Sequence, residues 1–162
     1  CTSTGMTVAL KALLDAFGQR CLLSHGDALC LDDVAYQAFR RQVRQPAWQA
    51  DFLGWPLDKR LALARRLRED SQMRKDSATG IESWADIDGP EACAWLAAAG
   101  AETLIHGHTH RPQTGSLGPG LVRHVLPDWD FDTDTPRGGI LRLDANGFRR
   151  LPPPALQAPV QP

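Results

Sequence analysis

LIHGHTHRP, residues Leu104 to Pro112, decides how the chain is read: an apolar run ends in three of its five histidines, at positions 106, 108 and 110. A neutral imidazole binds first-row transition metals near physiological pH without a deprotonation cost. In extended chain, alternate residues face one way, so the spacing predicts that His108 and His110 converge while Thr109 turns aside. Their separation, about 6 to 7 Å, is wide for one ion but suits two ions roughly 3.5 to 4 Å apart, each taking one histidine. Gly107 breaks the strand and permits close backbone approach.

A second passage has the same form. RCLLSHGD (Arg20–Asp27) is a short apolar run stopped by Gly-Asp, which predicts a buried strand delivering His25 to a loop. If the two strands lie parallel in one sheet, both histidine loops share its carboxyl edge, where open α/β folds bind ligands. His25, His108 and His110 are therefore the candidate metal ligands. Taken alone, His25 also fits a hydrogen-bonded strand-end residue. His106, still inside its strand, is expected to be buried and to orient the ligands. His124, on the alternating stretch GLVRHVL, is expected to be exposed.

Between these passages the chain reads as helical. Asp32 is expected to cap a helix over DVAYQAFRRQVR, Pro46 to open one over PAWQADFLGW, and Pro56 to open a third running to about Asp70. In the third, Leu57, Leu61, Leu63, Ala64 and Leu67 fall on one arc, and Arg60 and Arg68 lie within it. Core packing alone would not place arginines there. Lys75–Ile81 reads as a polar loop, and Pro90–Ala99 as an Ala-rich helix closed by Gly100. ETLIH is a buried strand. GLVRHVL and GGILRLD are further strands, the second turning at Asn146-Gly147 into FRRL. This order predicts an α/β fold, followed by a Pro-rich, disordered tail over 152–162.

The 162 residues, 43% of them hydrophobic, suffice for one core and a single domain. A net charge of -1 conceals an asymmetry: Arg40–Lys75 carries ten Lys/Arg against four Asp/Glu, hence +6, leaving -7 elsewhere. A basic insert in an acidic body suggests an anionic ligand or surface met by that region, against the plainer reading of a solvated helix face. Cys1, Cys21, Cys30 and Cys93 form no C-x-x-C pair, which argues against a zinc ribbon or disulfide framework and for a reducing compartment. No apolar run approaches the roughly 18 to 20 residues of a spanning helix. The opening CTSTGMTVALKALL has no export leader, so a soluble, cytosolic protein is expected. Because the chain starts at Cys1, an absent upstream segment is also expected. Asp128, Asp130, Asp132 and Asp134 alternate as in a calcium loop, but Thr133 and Gly139 stand where that loop needs Gly and Glu. Asp128 and Trp129 are instead expected at a strand end near the histidines, followed by a solvated acidic loop.

LLSHGDALCLDDVAYQAFRRQVRQPAWQADFL (Leu22–Leu53), RLREDSQMRK (Arg66–Lys75) and LIHGHTHRP together resemble the UDP-2,3-diacylglucosamine hydrolases of lipid A synthesis, a branch of the calcineurin-like metallophosphoesterases. The resemblance runs from about Phe17 to Trp129. G-H-x-H alone would indicate the superfamily, whereas HGDALCLDDVAYQAFR points to the branch. It implies a two-sheet sandwich flanked by helices, with a helical lid at about 32–75 in a partial domain over 1–151. It also implies a dinuclear manganese centre and hydrolysis of the substrate pyrophosphate to UMP and 2,3-diacylglucosamine 1-phosphate. By position, His25 and His108 would hold one metal and His110 the other. Asp33, Arg68, Ser71, Lys75 and His108 would contact the substrate, with Tyr36 one helical turn from Asp33. A small insertion between Ser71 and G-H-x-H makes Lys75 the weakest of these matches.

A lipid with a diphosphate head needs cations and a greasy channel, which Arg60 and Arg68 beside Trp48, Phe52 and Trp55 could supply. The same aromatics could equally be the core of the helical insert. The implied partners are a glycolipid nucleotide and the anionic cytoplasmic face of the inner membrane, with no nucleic acid. The superfamily's D-x-H, G-D-x-x-E and G-N-[HR]-D motifs do not occur in this sequence. The chain thus reads as a carboxyl-terminal portion, inactive alone. The alternatives are a non-catalytic remnant binding metal or anionic lipid, and another calcineurin-like phosphodiesterase. A nuclease would call for a basic groove with stacking platforms, and here the positive charge is confined to one insert.

Overall fold

A computed structural model of the chain describes residues 11–77, 86–131 and 136–153. The expectations for Cys1, the tail beyond residue 153, the acidic residues Asp132 and Asp134, and the end of the Lys75–Ile81 loop lie outside the described residues. The chain divides into two compact units, Cys1–Leu29 with Ile87–Pro162, and Cys30–Asp86.

The first unit is built on a mixed five-stranded sheet in the order β1-β2-β3-β5-β4, from β1 (Lys11–Ala16), β2 (Gln19–Ser24), β3 (Thr103–His106), β4 (Gln113–Gly118) and β5 (Leu121–Val125). β1 joins β2 antiparallel through a turn at Phe17-Gly18, both with left-handed backbone. β2 and β3 run parallel with Ser24 opposite His106, and β3 and β5 run parallel with His106 opposite Val125. The two strands that end at histidine loops are therefore neighbours, as expected. Parallel neighbours need a crossover, and α4 (Gly89–Ala99) is the last helix of it, leading into β3. The Asp88 carboxylate accepts the Glu91 N–H at 2.7 Å, and Gly100 in the left-handed region closes the helix.

β3 is buried on both faces, so burial does not alternate along it and its polar ends, Thr103 and His106, are covered with Leu104 and Ile105. Leu22, Leu96, Leu104, Ile105 and Val125 form the core around it, and each such side chain contributes about 1.5–3 kcal/mol when fully buried. β1 is nearly the reverse: Leu13 and Leu14 are exposed along this edge strand. β1 and β4 were not expected as strands, since one lacks a buried face and the other reads QTGSLG.

β6 (Ile140–Asp144) and β7 (Gly147–Leu151) form a separate hairpin, turning through Asn146 as expected. Arg150 ties it to the main sheet by donating to the Gln113 and Val125 carbonyls. The Phe148 ring lies 4.3 Å from that of His124. Here one expectation fails: His124 is buried, not exposed, because the hairpin covers the face on which alternation placed it. Its Nδ1 pairs with the Thr114 hydroxyl at 2.9 Å. Burial, followed by the Arg150 charge, holds this imidazole below its ordinary pKa.

The second unit comprises α1 (Val34–Val43), α2 (Pro46–Gly54) and α3 (Leu57–Ser77). The cap of α1 is Asp33 rather than Asp32; its carboxylate accepts the Tyr36 N–H at 2.9 Å. α3 continues to Ser77, so Lys75 to Ser77 are helical and not loop. The leucine arc of α3 is not a buried one, since Leu57 and Leu61 are exposed. The aromatics of the unit stack along one another: Trp48 on Phe52 at 5.0 Å, Phe52 against Trp55 at 5.6 Å, with the Lys59 ammonium 3.8 Å from the Trp55 ring centre. Among the described residues no helix is long and apolar enough to cross a membrane.

Candidate metal centre

The register of β2 against β3 brings His25 and Gly107 together at the carboxyl ends of the two strands. The Gly107 N–H donates to the His25 carbonyl at 3.0 Å, and the Leu126 N–H donates to the His106 carbonyl at 2.7 Å. Three chain segments are thereby stitched side by side. Gly26, with φ +100°, packs so tightly beneath them that a Cβ there would stand 3.0 Å from His106 Nδ1 and 3.2 Å from the Gly107 carbonyl oxygen.

The histidine segment leaves β3 through a turn and not as extended chain. His108 and His110 both adopt left-handed backbone, φ 64° and 52°, and the Thr109 N–H closes back on the Gly107 carbonyl at 2.8 Å. That i to i+2 bond around a positive φ is a γ-turn of the rare, strained kind. Left-handed backbone at non-glycine residues costs of order 1–3 kcal/mol each and tends to collect at functional sites. Thr109 is buried, His108 half-buried and His110 exposed. The extended conformation expected for His108 and His110 is not found, because the turn replaces strand alternation.

This turn places the His108 ring 5.1 Å from the His25 ring, edge to face. The pair expected on one metal thus lies together. Carboxylates flank the outer two histidines. Asp27, buried, has Oδ1 3.2 Å from His25 Nδ1, and Asp128 has Oδ2 3.5 Å from His110 Nδ1. A carboxylate on the Nδ1 side of an imidazole favours the proton there and leaves Nε2 as the donor to a metal, the usual arrangement behind ligand histidines. Burial pushes the Asp128 carboxyl upward, but the hydrogen bond and charge of Arg137 help to outweigh it and hold the group below the usual carboxylate range. His106 is fully buried, as expected, with Nδ1 3.0 Å from the Gly107 carbonyl oxygen.

Among the described residues, no three His, Cys, Asp or Glu side chains form a group that could hold a metal ion by themselves. The paired imidazoles and flanking carboxylates fit a metal's requirements in part: they offer nitrogen donors with outer partners and too few ligands to complete a sphere. The expected substrate residues fall in the second unit. Asp33 is exposed and already engaged as a helix cap, Arg68 is exposed, and Tyr36 is half-buried. Ser71 and Lys75 lie in α3 with side chains outside the described residues. Asp27 and Arg137 were missed. The Asp27 signal was present in HGD two residues beyond His25, whereas nothing local marks Arg137.

No protein-family model matches the chain. It is 49% identical over 140 residues to the UDP-2,3-diacylglucosamine hydrolase of Chromobacterium violaceum, covering 86% of this chain and 56% of that protein. It is 43% identical over 144 residues to the one from Stenotrophomonas maltophilia, covering 84% and 56%, and 45% identical over 141 residues to the one from Bordetella parapertussis, covering 85% and 54%. The chain spans about half the length of these relatives. With 43–49% identity to these three proteins across some 85% of its residues, the chain is a homologue of the UDP-2,3-diacylglucosamine hydrolases.

Proposed function

We propose that this chain is the carboxyl-terminal part of a metal-dependent hydrolase that splits the pyrophosphate of UDP-2,3-diacylglucosamine into UMP and 2,3-diacylglucosamine 1-phosphate during lipid A synthesis. The observation that carries the reading is the meeting of His25 and His108, with ring centres 5.1 Å apart, at the carboxyl edge of two parallel strands. His25 and His108 would hold one Mn²⁺ and His110 a second. Bound metal would supply an activated water and neutralise phosphoryl charge. The chain's own part is to present three imidazoles, with Asp27 and Asp128 at the Nδ1 sides of His25 and His110. We assign Asp33, Arg68, Ser71, Lys75 and His108 to substrate contact, and place the protein at the cytoplasmic face of the inner membrane.

The experiment is release of UMP from UDP-2,3-diacylglucosamine in the presence of Mn²⁺, with this chain joined to a segment carrying D-x-H, G-D-x-x-E and G-N-R-D. His108→Ala is expected to lower the rate by more than about 100-fold, beyond the 10–100-fold typical of outer-sphere changes. Activity that persists in this variant would overturn the assignment. A second reading, a non-catalytic segment binding metal or anionic lipid, draws on the basic stretch Arg40–Lys75 with its net charge of +6. Absence of UMP release from the joined protein with Mn²⁺ present would select it.

A further inference from the structure

We propose that Asp128, gripped by Arg137, is a positioning residue that keeps the His110 proton on Nδ1 and its Nε2 bare. The inference takes its purpose from the reading of His110 as a metal ligand, while its geometry stands independently. Asp128 Oδ2 lies 3.5 Å from His110 Nδ1, and the same oxygen accepts from Arg137 Nε at 2.8 Å. Arg137 is itself fixed twice. Its guanidinium reaches Asp130 Oδ2 at 2.9 Å, and its backbone exchanges hydrogen bonds of 2.8 and 2.9 Å with that of Asp130.

An ionised carboxylate only accepts, and a neutral imidazole has one N–H, so the nitrogen that faces the carboxylate is the one that carries the proton. The other nitrogen then keeps its lone pair toward whatever lies beyond. Without Arg137, Asp128 could rotate away and His110 would lose its orienting partner. The arginine, nine positions beyond Asp128, therefore acts on the imidazole through the carboxylate.

The test is a long-range ¹⁵N–¹H correlation spectrum of the whole 162-residue chain, at a pH where the imidazoles are neutral. His110 is expected mainly as the Nδ1–H tautomer. Asp128→Ala is expected to return it to the Nε2–H form, Arg137→Met to shift it part of the way, and Arg137→Lys to restore it, since an ammonium can still pair with Asp128. An Nε2–H majority in the unmodified chain overturns the proposal, as does an unchanged ratio in a well-dispersed Asp128→Ala spectrum. Should that variant unfold, the tautomer of the unmodified chain decides. A parallel Mn²⁺ titration of the chain joined to a segment carrying D-x-H, G-D-x-x-E and G-N-R-D separates this inference from the ligand reading, with about 10–100-fold weaker binding expected for Asp128→Ala. Nδ1–H without Mn²⁺ binding sinks the ligand assignment and leaves the positioning; Mn²⁺ binding with Nε2–H does the reverse.

Discussion

Gly26 carries more of the histidine site than its size suggests. It combines left-handed backbone with a 3.0 Å approach of its missing Cβ to His106 Nδ1. Gly26→Ala is expected to cost about 1–3 kcal/mol, read as a lower urea midpoint, and to disturb the His25–His108 contact; an unchanged midpoint would show that the packing is looser. His124 makes a separate prediction. Its folded-state pKa lies below the unfolded value, so the unfolded chain binds the proton more readily. Its contribution is flat above the unfolded value of about 6.5 and is lost as pH falls from there toward the folded one. Urea unfolding should show less stability at pH 5.5 than at pH 7.5, and His124→Gln should flatten part of that slope. An identical slope in the variant would exclude His124 as the cause. Sequence spacing marked His25, His108 and His110, but not how the last two turn. Left-handed backbone at histidine runs against local preference and is imposed by surrounding contacts.

At the scale of elements, the exposed edge strand β1 presents Leu13 and Leu14 on opposite faces of its pleat. Edge strands of this kind pair with other chains unless a charge interrupts them. Leu13→Lys is expected to lower concentration-dependent light scattering while changing stability by less than about 0.5 kcal/mol; scattering that stays the same would locate the association elsewhere. The contrast with β3 explains which strands could be read in advance. A strand buried on both faces carries adjacent apolar residues, as the Leu-Ile of TLIH, whereas KALLDA and QTGSLG have no face that demands a pattern. Helix starts were legible to within a residue, since adjacent Asp32 and Asp33 offer the same side chain and only backbone geometry chooses between them.

For the molecule as a whole, positive charge and exposed leucines coincide in Arg40–Lys75. Leu53, Leu57 and Leu61 are exposed there, within the stretch of the chain whose net charge is +6. Binding to vesicles containing anionic lipid is expected, at about 1 kcal/mol per basic residue near the surface, and weakening as salt is raised. Equal binding to neutral vesicles would assign the interaction to the leucines alone. Composition announced this asymmetry, but not that the leucine arc of α3 would remain uncovered, because a hydrophobic stripe does not say what it meets.

The Asp88 N–H donates to the Leu29 carbonyl at 2.7 Å. The polypeptide consequently leaves and re-enters the first unit at adjacent points. Splicing Leu29 to Asp88 with a short Gly-Ser bridge should yield a miniature that still folds, with the imidazole pair intact. Segments inserted at such a junction can be exchanged or redesigned without rebuilding their host.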